Sequence, residues 1–137
     1  MRFALLGTIA LLLIATSAFA QVVFDFEDGT MDGWTSVSGN LTMKPFAGSA
    51  NRPAGDFNLQ GKYFYGGYEY GGDGPKGVLR SPDFTITRKT ISLLVGGGDS
   101  IDKEYVALCR ASDGKVLLKE TGHNTDCLLY TSPSPRD

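Results

Sequence analysis

The stretch YVALCRASDGKVLLKE, residues 105–120, carries the clearest fold signal in the chain of 137 residues. Two apolar runs, 105–110 and 115–120, flank the segment Ala111-Ser112-Asp113-Gly114. Apolar runs around a short loop that ends in Asp-Gly are typical of a β-hairpin, because these residues accept the backbone angles of tight turns. The stretch therefore predicts two antiparallel strands.

Further strand-like runs lie on the N-terminal side of this hairpin, at spacings of roughly ten residues. The turn cluster 28–33 precedes Trp34, which we expect to anchor the core, and no long helical pattern appears. This series of short strands without a helix predicts an all-β fold, specifically an antiparallel β-sandwich. The runs are 22–27, one or two strands within 35–43, 61–65, 77–81, 84–87 and 90–95.

The first twenty residues have the features of a signal peptide. Arg2 supplies a positive start, an apolar run covers 3–15, and Ala18-Phe19-Ala20 fits the pattern that signal peptidase cleaves. The apolar run is shorter than the roughly 20 residues of a membrane-spanning helix. We therefore expect cleavage after Ala20 and a secreted chain (extracellular, periplasmic or at the cell surface) with no membrane contact after cleavage.

Residues 127–137, CLLYTSPSPRD, look like no fold element. They match, residue for residue, one reading frame of a transposase adapter used to prepare DNA sequencing libraries, and such a scar is excluded from fold reasoning. The prediction is one β-sandwich domain over 21–126, incomplete at its C-terminal end, followed by a non-native tail. A sandwich with unpartnered edges is expected to fold poorly.

The charge of residues 21–126 is mildly acidic. They contain 11 Lys and Arg against 14 Asp and Glu, a net charge of −3. Nucleic acids and anionic membrane surfaces both require a basic footprint, so neither is expected as a main partner.

Two cysteines in a secreted chain would ordinarily suggest a disulfide. Cys127 belongs to the adapter-like tail, which leaves Cys109 alone in the strand-like run 105–110. We expect Cys109 to be buried as a small hydrophobe.

The sequence shows no arrangement typical of an enzyme active site. His123 is the single histidine, and neither a G-x-S-x-G nor an H-E-x-x-H motif occurs. His123 follows the hairpin in a polar stretch and is interpreted as a solvated loop residue, and the carboxylates lie mostly in turns. We therefore expect that the protein is not an enzyme.

Closely spaced tyrosines between glycines point to sugar binding. Aromatic faces stack on the apolar faces of sugar rings, while hydroxyl and carboxylate groups bond the sugar hydroxyls. In the alternative interpretation, Tyr63 fills a face of the sandwich together with Tyr65, and the loop tyrosines cover an edge. The candidate carbohydrate-binding residues are Tyr65, Tyr68, Glu69 and Tyr70.

Several segments, taken in their order and spacing, resemble a known domain family. They are FDFEDG at 24–29 with Gly33-Trp34, QGKYF at 60–64, GVLRSPDFTI at 77–86, ISLLVGGG at 91–98, and the hairpin with TGHN at 121–124. The chain resembles a jelly-roll-like sandwich domain of secreted bacterial proteins. That domain occurs ahead of the catalytic part in levanase-like members of glycoside hydrolase family 32. The resemblance covers nearly all of 21–126, and the family's closing segment, D-x-x-x-G-G-W-G-H, is not in this sequence.

The resemblance implies a non-catalytic, carbohydrate-binding-like accessory module of a secreted, glycan-active protein, whose missing C-terminal part could be a glycoside hydrolase. Its partners would be a polysaccharide or oligosaccharide and an adjacent domain of the parent protein. The alternative is a purely structural domain that packs against its neighbour and binds no small ligand. Jelly-roll modules often hold a structural calcium near the first strand, which singles out Glu27 and Asp28 as metal ligands. No other cofactor is expected.

Overall fold

The computed structural model describes residues 21–48 and 59–134. The predicted signal peptide and most of the loop that follows residue 47 lie outside these ranges. Among the described residues, no helix is long and apolar enough to cross a membrane.

The described residues form strands and no helix, and every strand pair is antiparallel. The all-β prediction is therefore confirmed. The strands join into four two-stranded sheets, β1–β4, β2–β3, β5–β8 and β6–β7, and their arrangement as a sandwich stays a prediction. The strands are β1 (Thr35–Gly39), β2 (Phe46–Ala47), β3 (Tyr63–Phe64), β4 (Gly77–Arg80), β5 (Thr90–Gly97), β6 (Val106–Cys109), β7 (Val116–Glu120) and β8 (Thr125–Pro133).

The predicted hairpin is confirmed as β6 and β7. Val106 pairs with Glu120 and Leu108 with Leu118. The turn is closed by backbone hydrogen bonds, Gly114 N donating to Arg110 O at 2.8 Å and Arg110 N donating to Lys115 O at 2.8 Å. Gly114 has a φ of 73°, which a glycine adopts without steric cost, and this explains the Asp-Gly signal.

The tail differs from the expectation that it forms no fold element. β8 runs to Pro133 and pairs with β5 from Thr90↔Pro133 to Gly97↔Thr125, with a register shift near Val95. Leu128-Leu129-Tyr130-Thr131 is a run with strand propensity. Because a strand ladder is made of backbone hydrogen bonds, such a run is sufficient for pairing with β5. The adapter origin of residues 127–137 stays a prediction.

The predicted first strand, 22–27, is wrong. Phe26 has a φ of 59°, outside the strand region, and its N–H donates to the carboxylate of Asp32 at 2.7 Å. This side-chain hydrogen bond replaces a strand ladder with a local loop. Residues 84–87 also form no strand, and the Phe84 ring instead packs edge-on against Phe24 at 5.8 Å.

Burial is shallow throughout the described residues. Val95 on β5 is the buried hydrophobic residue, with 8% of its surface exposed. Trp34 lies between Phe24 and Phe26, at ring-centroid distances of 5.9 and 6.4 Å. It was predicted to anchor the core, and it packs against these rings but is only half-buried. The expectation for Cys109 is wrong, since it is a free, exposed cysteine at the last position of β6.

Candidate functional site

The candidate sugar-binding residues divide between an aromatic cluster and an exposed turn. Tyr65 belongs to the cluster, with its ring 6.4 Å from that of Phe26. Its hydroxyl is buried without a hydrogen-bond partner, and this burial raises the pKa of Tyr65. The position of Tyr65 fits the alternative in which it packs the interior.

Tyr68 and Tyr70 lie together on the glycine-rich turn that joins β3 to β4, but they are held differently. Tyr70 is 37% exposed, and its hydroxyl donates to Pro45 O at 2.9 Å while its ring packs edge-on against Phe46 at 5.7 Å. Tyr68 is 61% exposed. Tyr70 thus anchors the turn to β2, and Tyr68 presents its ring to solvent.

The backbone of the turn closes directly behind Tyr68. Gly72 N donates to Tyr68 O at 2.8 Å, and Gly71 N donates to the same oxygen at 3.3 Å. A carbonyl that accepts two amides holds the backbone of Tyr68 in one place. The exposed ring is therefore carried on a constrained backbone.

Glu69 is half-buried and turned back towards Gly66. A Cβ atom at position 66 would collide with the Glu69 carboxylate and would come within 2.8 Å of the Phe64 ring. The absence of a side chain at Gly66 is therefore what allows Glu69 to lie beside the turn. The carboxylate of Glu69, the residue that follows Tyr68 in the chain, supplies hydrogen-bond acceptors for a polar ligand.

The candidate calcium ligands are already engaged with the backbone. Glu27 Oε1 accepts hydrogen bonds from Lys62 N and Tyr63 N, both at 2.8 Å, and Oε2 accepts from Lys62 N at 2.9 Å. Asp28 Oδ1 accepts from Thr30 N at 2.8 Å, and hydrogen bonding with Thr30 lowers the pKa of Asp28. Within the described ranges, no group of three or more His, Cys, Asp or Glu side chains is arranged to hold a metal ion. A calcium ion here would have to compete with these amides, and the site stays a prediction.

One side-chain constellation was missed by the sequence analysis. His123 Nδ1 lies 3.1 Å from Asp99 Oδ1, and Nε2 lies 2.9 Å from Glu120 Oε1. His123 is thus more than the solvated loop residue that was expected. The spacing of Glu120 and His123 was visible in the sequence, whereas Asp99 is brought in by the approach of the β5 end to the β7–β8 connection.

Comparison with known proteins gives one partial similarity. Over 100 residues, 73% of this chain, the sequence is 29% identical to "Putative glycosyl hydrolase ecdE" of Aspergillus rugulosus. The chain spans 14% of that protein's length. No family model matches the chain. No solved structure matches it at a significant level.

This similarity links the chain to a glycan-related protein and corrects one prediction. The expectation that the protein is not an enzyme is contradicted, because the relative carries the name of a glycosyl hydrolase. The more specific resemblance to a jelly-roll domain of family 32 stays a prediction.

Proposed function

We propose that this chain is a secreted, carbohydrate-binding part of a glycan-processing protein, with Tyr68 as the stacking surface. The observation that carries the proposal is the exposed Tyr68 ring on a turn fixed by Tyr70. The similarity to a protein named as a glycosyl hydrolase supports a glycan as the class of ligand.

The chemistry follows from the two neighbouring side chains. A tyrosine ring offers a flat apolar face with a polar end, which suits the apolar C–H face of a sugar ring. Because Gly71 and Gly72 hold the backbone of Tyr68, little conformational freedom is lost when a ligand binds. Glu69 would accept hydrogen bonds from sugar hydroxyls at the edge of the stacked ring.

The test compares two exposed tyrosines on a glycan array. Tyr68→Ala should abolish binding, whereas Tyr105→Ala, which removes a 49%-exposed tyrosine from the β5–β6 connection, should leave it unchanged. Equal binding by the parent chain and Tyr68→Ala would overturn the assignment of Tyr68. Circular dichroism of both variants controls for loss of the fold.

A second candidate, packing against an adjacent domain of the parent protein, is favoured by one observation. β1 exposes all five of its residues, and Val37 and Val78 of the β1–β4 sheet are exposed hydrophobic residues. Binding of no glycan by the folded parent chain would favour this structural role over sugar binding.

A further inference from the structure

His123 joins three parts of the fold at one point. Asp99 follows the end of β5, Glu120 is the last residue of β7, and His123 lies in the connection from β7 to β8. The two ring nitrogens are taken by different partners, Nδ1 facing Asp99 at 3.1 Å and Nε2 facing Glu120 at 2.9 Å.

These two contacts require a particular protonation state of the imidazole. Ionised carboxylates only accept hydrogen bonds, and a neutral imidazole has a single N–H. A neutral ring would therefore turn a nitrogen lone pair towards one carboxylate oxygen. The imidazolium donates from both nitrogens and forms two charge-assisted hydrogen bonds.

The backbone around His123 is tightly placed. Thr121 is 2% exposed, and its hydroxyl donates to Gly98 O at 2.9 Å. Gly122 lies so close to the backbone of residues 96–97 that a Cβ atom would not fit. His123 and Asn124 then adopt left-handed backbone angles, with φ of 51° and 55°, which asparagine tolerates but which are less favourable for histidine. A contact that stabilises this turn is needed at the point where the chain enters β8.

We propose that His123, clasped between Asp99 and Glu120, is a proton-operated latch that holds the β7–β8 turn against the end of β5 and opens as the pH rises. When the proton leaves, the ring loses one of its two carboxylate contacts and the left-handed turn loses support. The entry to β8 and the 98–104 connection then become mobile together.

Other charged groups near the latch are paired elsewhere or add negative charge. On β7, Lys119 Nζ lies 3.9 Å from Asp102 Oδ1 and over the ring of Tyr105. On the β5–β6 connection, the Glu104 carboxylate lies beside Gly98. The two carboxylates that face the ring nitrogens of His123, those of Asp99 and Glu120, favour the imidazolium through their negative charge.

The direction of the pH dependence follows from both partners. The hydrogen bond to Glu120 raises the pKa of His123 above its ordinary value of 6.5, opposed by desolvation and assisted by Asp99. The same hydrogen bond lowers the pKa of Glu120 below 4.5. The contribution of His123 is complete below pH 6.5 and is lost as the pH rises through its raised pKa. The contribution of Glu120 is present above pH 4.5 and is lost as the pH falls through the lowered pKa of Glu120. The latch is therefore closed between the lowered pKa of Glu120 and the raised pKa of His123.

The first test is a proton NMR titration of the imidazole, which needs no assignment because the chain contains one histidine. We expect the pKa of His123 to lie above 6.5 and to fall in Asp99→Asn and in Glu120→Gln. Asp102→Asn is the matched control. It removes one negative charge from the same connection, but the Asp102 carboxylate lies near Lys119 and not at the imidazole. A value at or below 6.5 in the parent chain, or an equal fall in all three variants, would overturn the latch.

The second test measures stability, using His123→Asn. Asparagine tolerates the left-handed backbone but carries no charge at any pH, so the turn can form without the latch. The parent chain should melt at a higher temperature than this variant between pH 4.5 and 6.5, and the difference should shrink in alkaline buffer, where the neutral ring keeps only one carboxylate contact. A difference that is constant with pH, or that grows in alkali, would overturn the proposal.

Discussion

Gly66 is the residue on which the geometry of the candidate sugar-binding turn depends most directly. A side chain there would meet the Glu69 carboxylate and the Phe64 ring, so Gly66→Ala should displace Glu69 and weaken glycan binding. The expected loss of stability is about 1 kcal/mol, at the low end for overpacking because Glu69 can rotate away. Urea denaturation and the glycan array measure the two effects.

The neighbouring glycine supplies the control for this substitution. A Cβ atom on Gly67 would make only ordinary contact with Leu41, at 3.7 Å, so Gly67→Ala should change neither stability nor binding appreciably. Equal effects of the two substitutions would show that alanine disturbs the turn for a general reason and that the Glu69 contact is irrelevant.

At the scale of elements, Glu27 joins the N-terminal loop to β3 across 35 residues of sequence. Glu27→Gln removes the charge and the hydrogen bond from Lys62 N to Oε2, whereas its remaining oxygen can still accept from Lys62 N and Tyr63 N. The expected cost is about 1 kcal/mol, the typical net contribution of one hydrogen bond to stability. Thermal unfolding checks this, with Asp28→Asn as the control because an asparagine oxygen can still accept from Thr30 N. Equal melting temperatures for Glu27→Gln and the parent chain would contradict the role given to Glu27.

The elements also show which features of the fold were accessible from sequence. The β6–β7 hairpin was predicted because its signal is local, with the turn and both strands inside sixteen consecutive residues, 105–120. The loop at Phe26 was not predicted, because an alternating apolar pattern does not reveal that Asp32 will capture the Phe26 amide. The clasp of His123 by Asp99 was missed for a related reason: it exists only once β5 and the β7–β8 connection have met. The spacing of the candidate sugar-binding residues does not distinguish Tyr68 from Tyr65, and only the packing shows that Tyr68 is exposed while Tyr65 lies in the aromatic cluster.

At the scale of the whole molecule, the pairing of β5 with β8 is the longest strand contact in the described chain. β5 carries Ile91, Leu93, Leu94 and Val95, and its partner residues 128–133 fall within the tail that matches an adapter. The hydrogen bonds of a ladder come from the backbone, so β8 can cover this apolar edge whatever the origin of its sequence. An uncovered apolar edge strand is a template for pairing with another chain.

Deleting residues 127–137 should therefore lower the melting temperature and drive self-association. Val95, the buried hydrophobic residue of the described core, pairs with Leu128, and this contact is lost in the deletion. Size-exclusion chromatography with light scattering should show dimers or larger species, while deletion of 135–137 alone leaves β8 whole and should leave the chain monomeric. If the longer deletion stays monomeric with an unchanged melting temperature, β8 contributes nothing to the fold and the β5 edge is protected in another way. If it associates, the uncovered edge of β5 is the surface through which the chains pair.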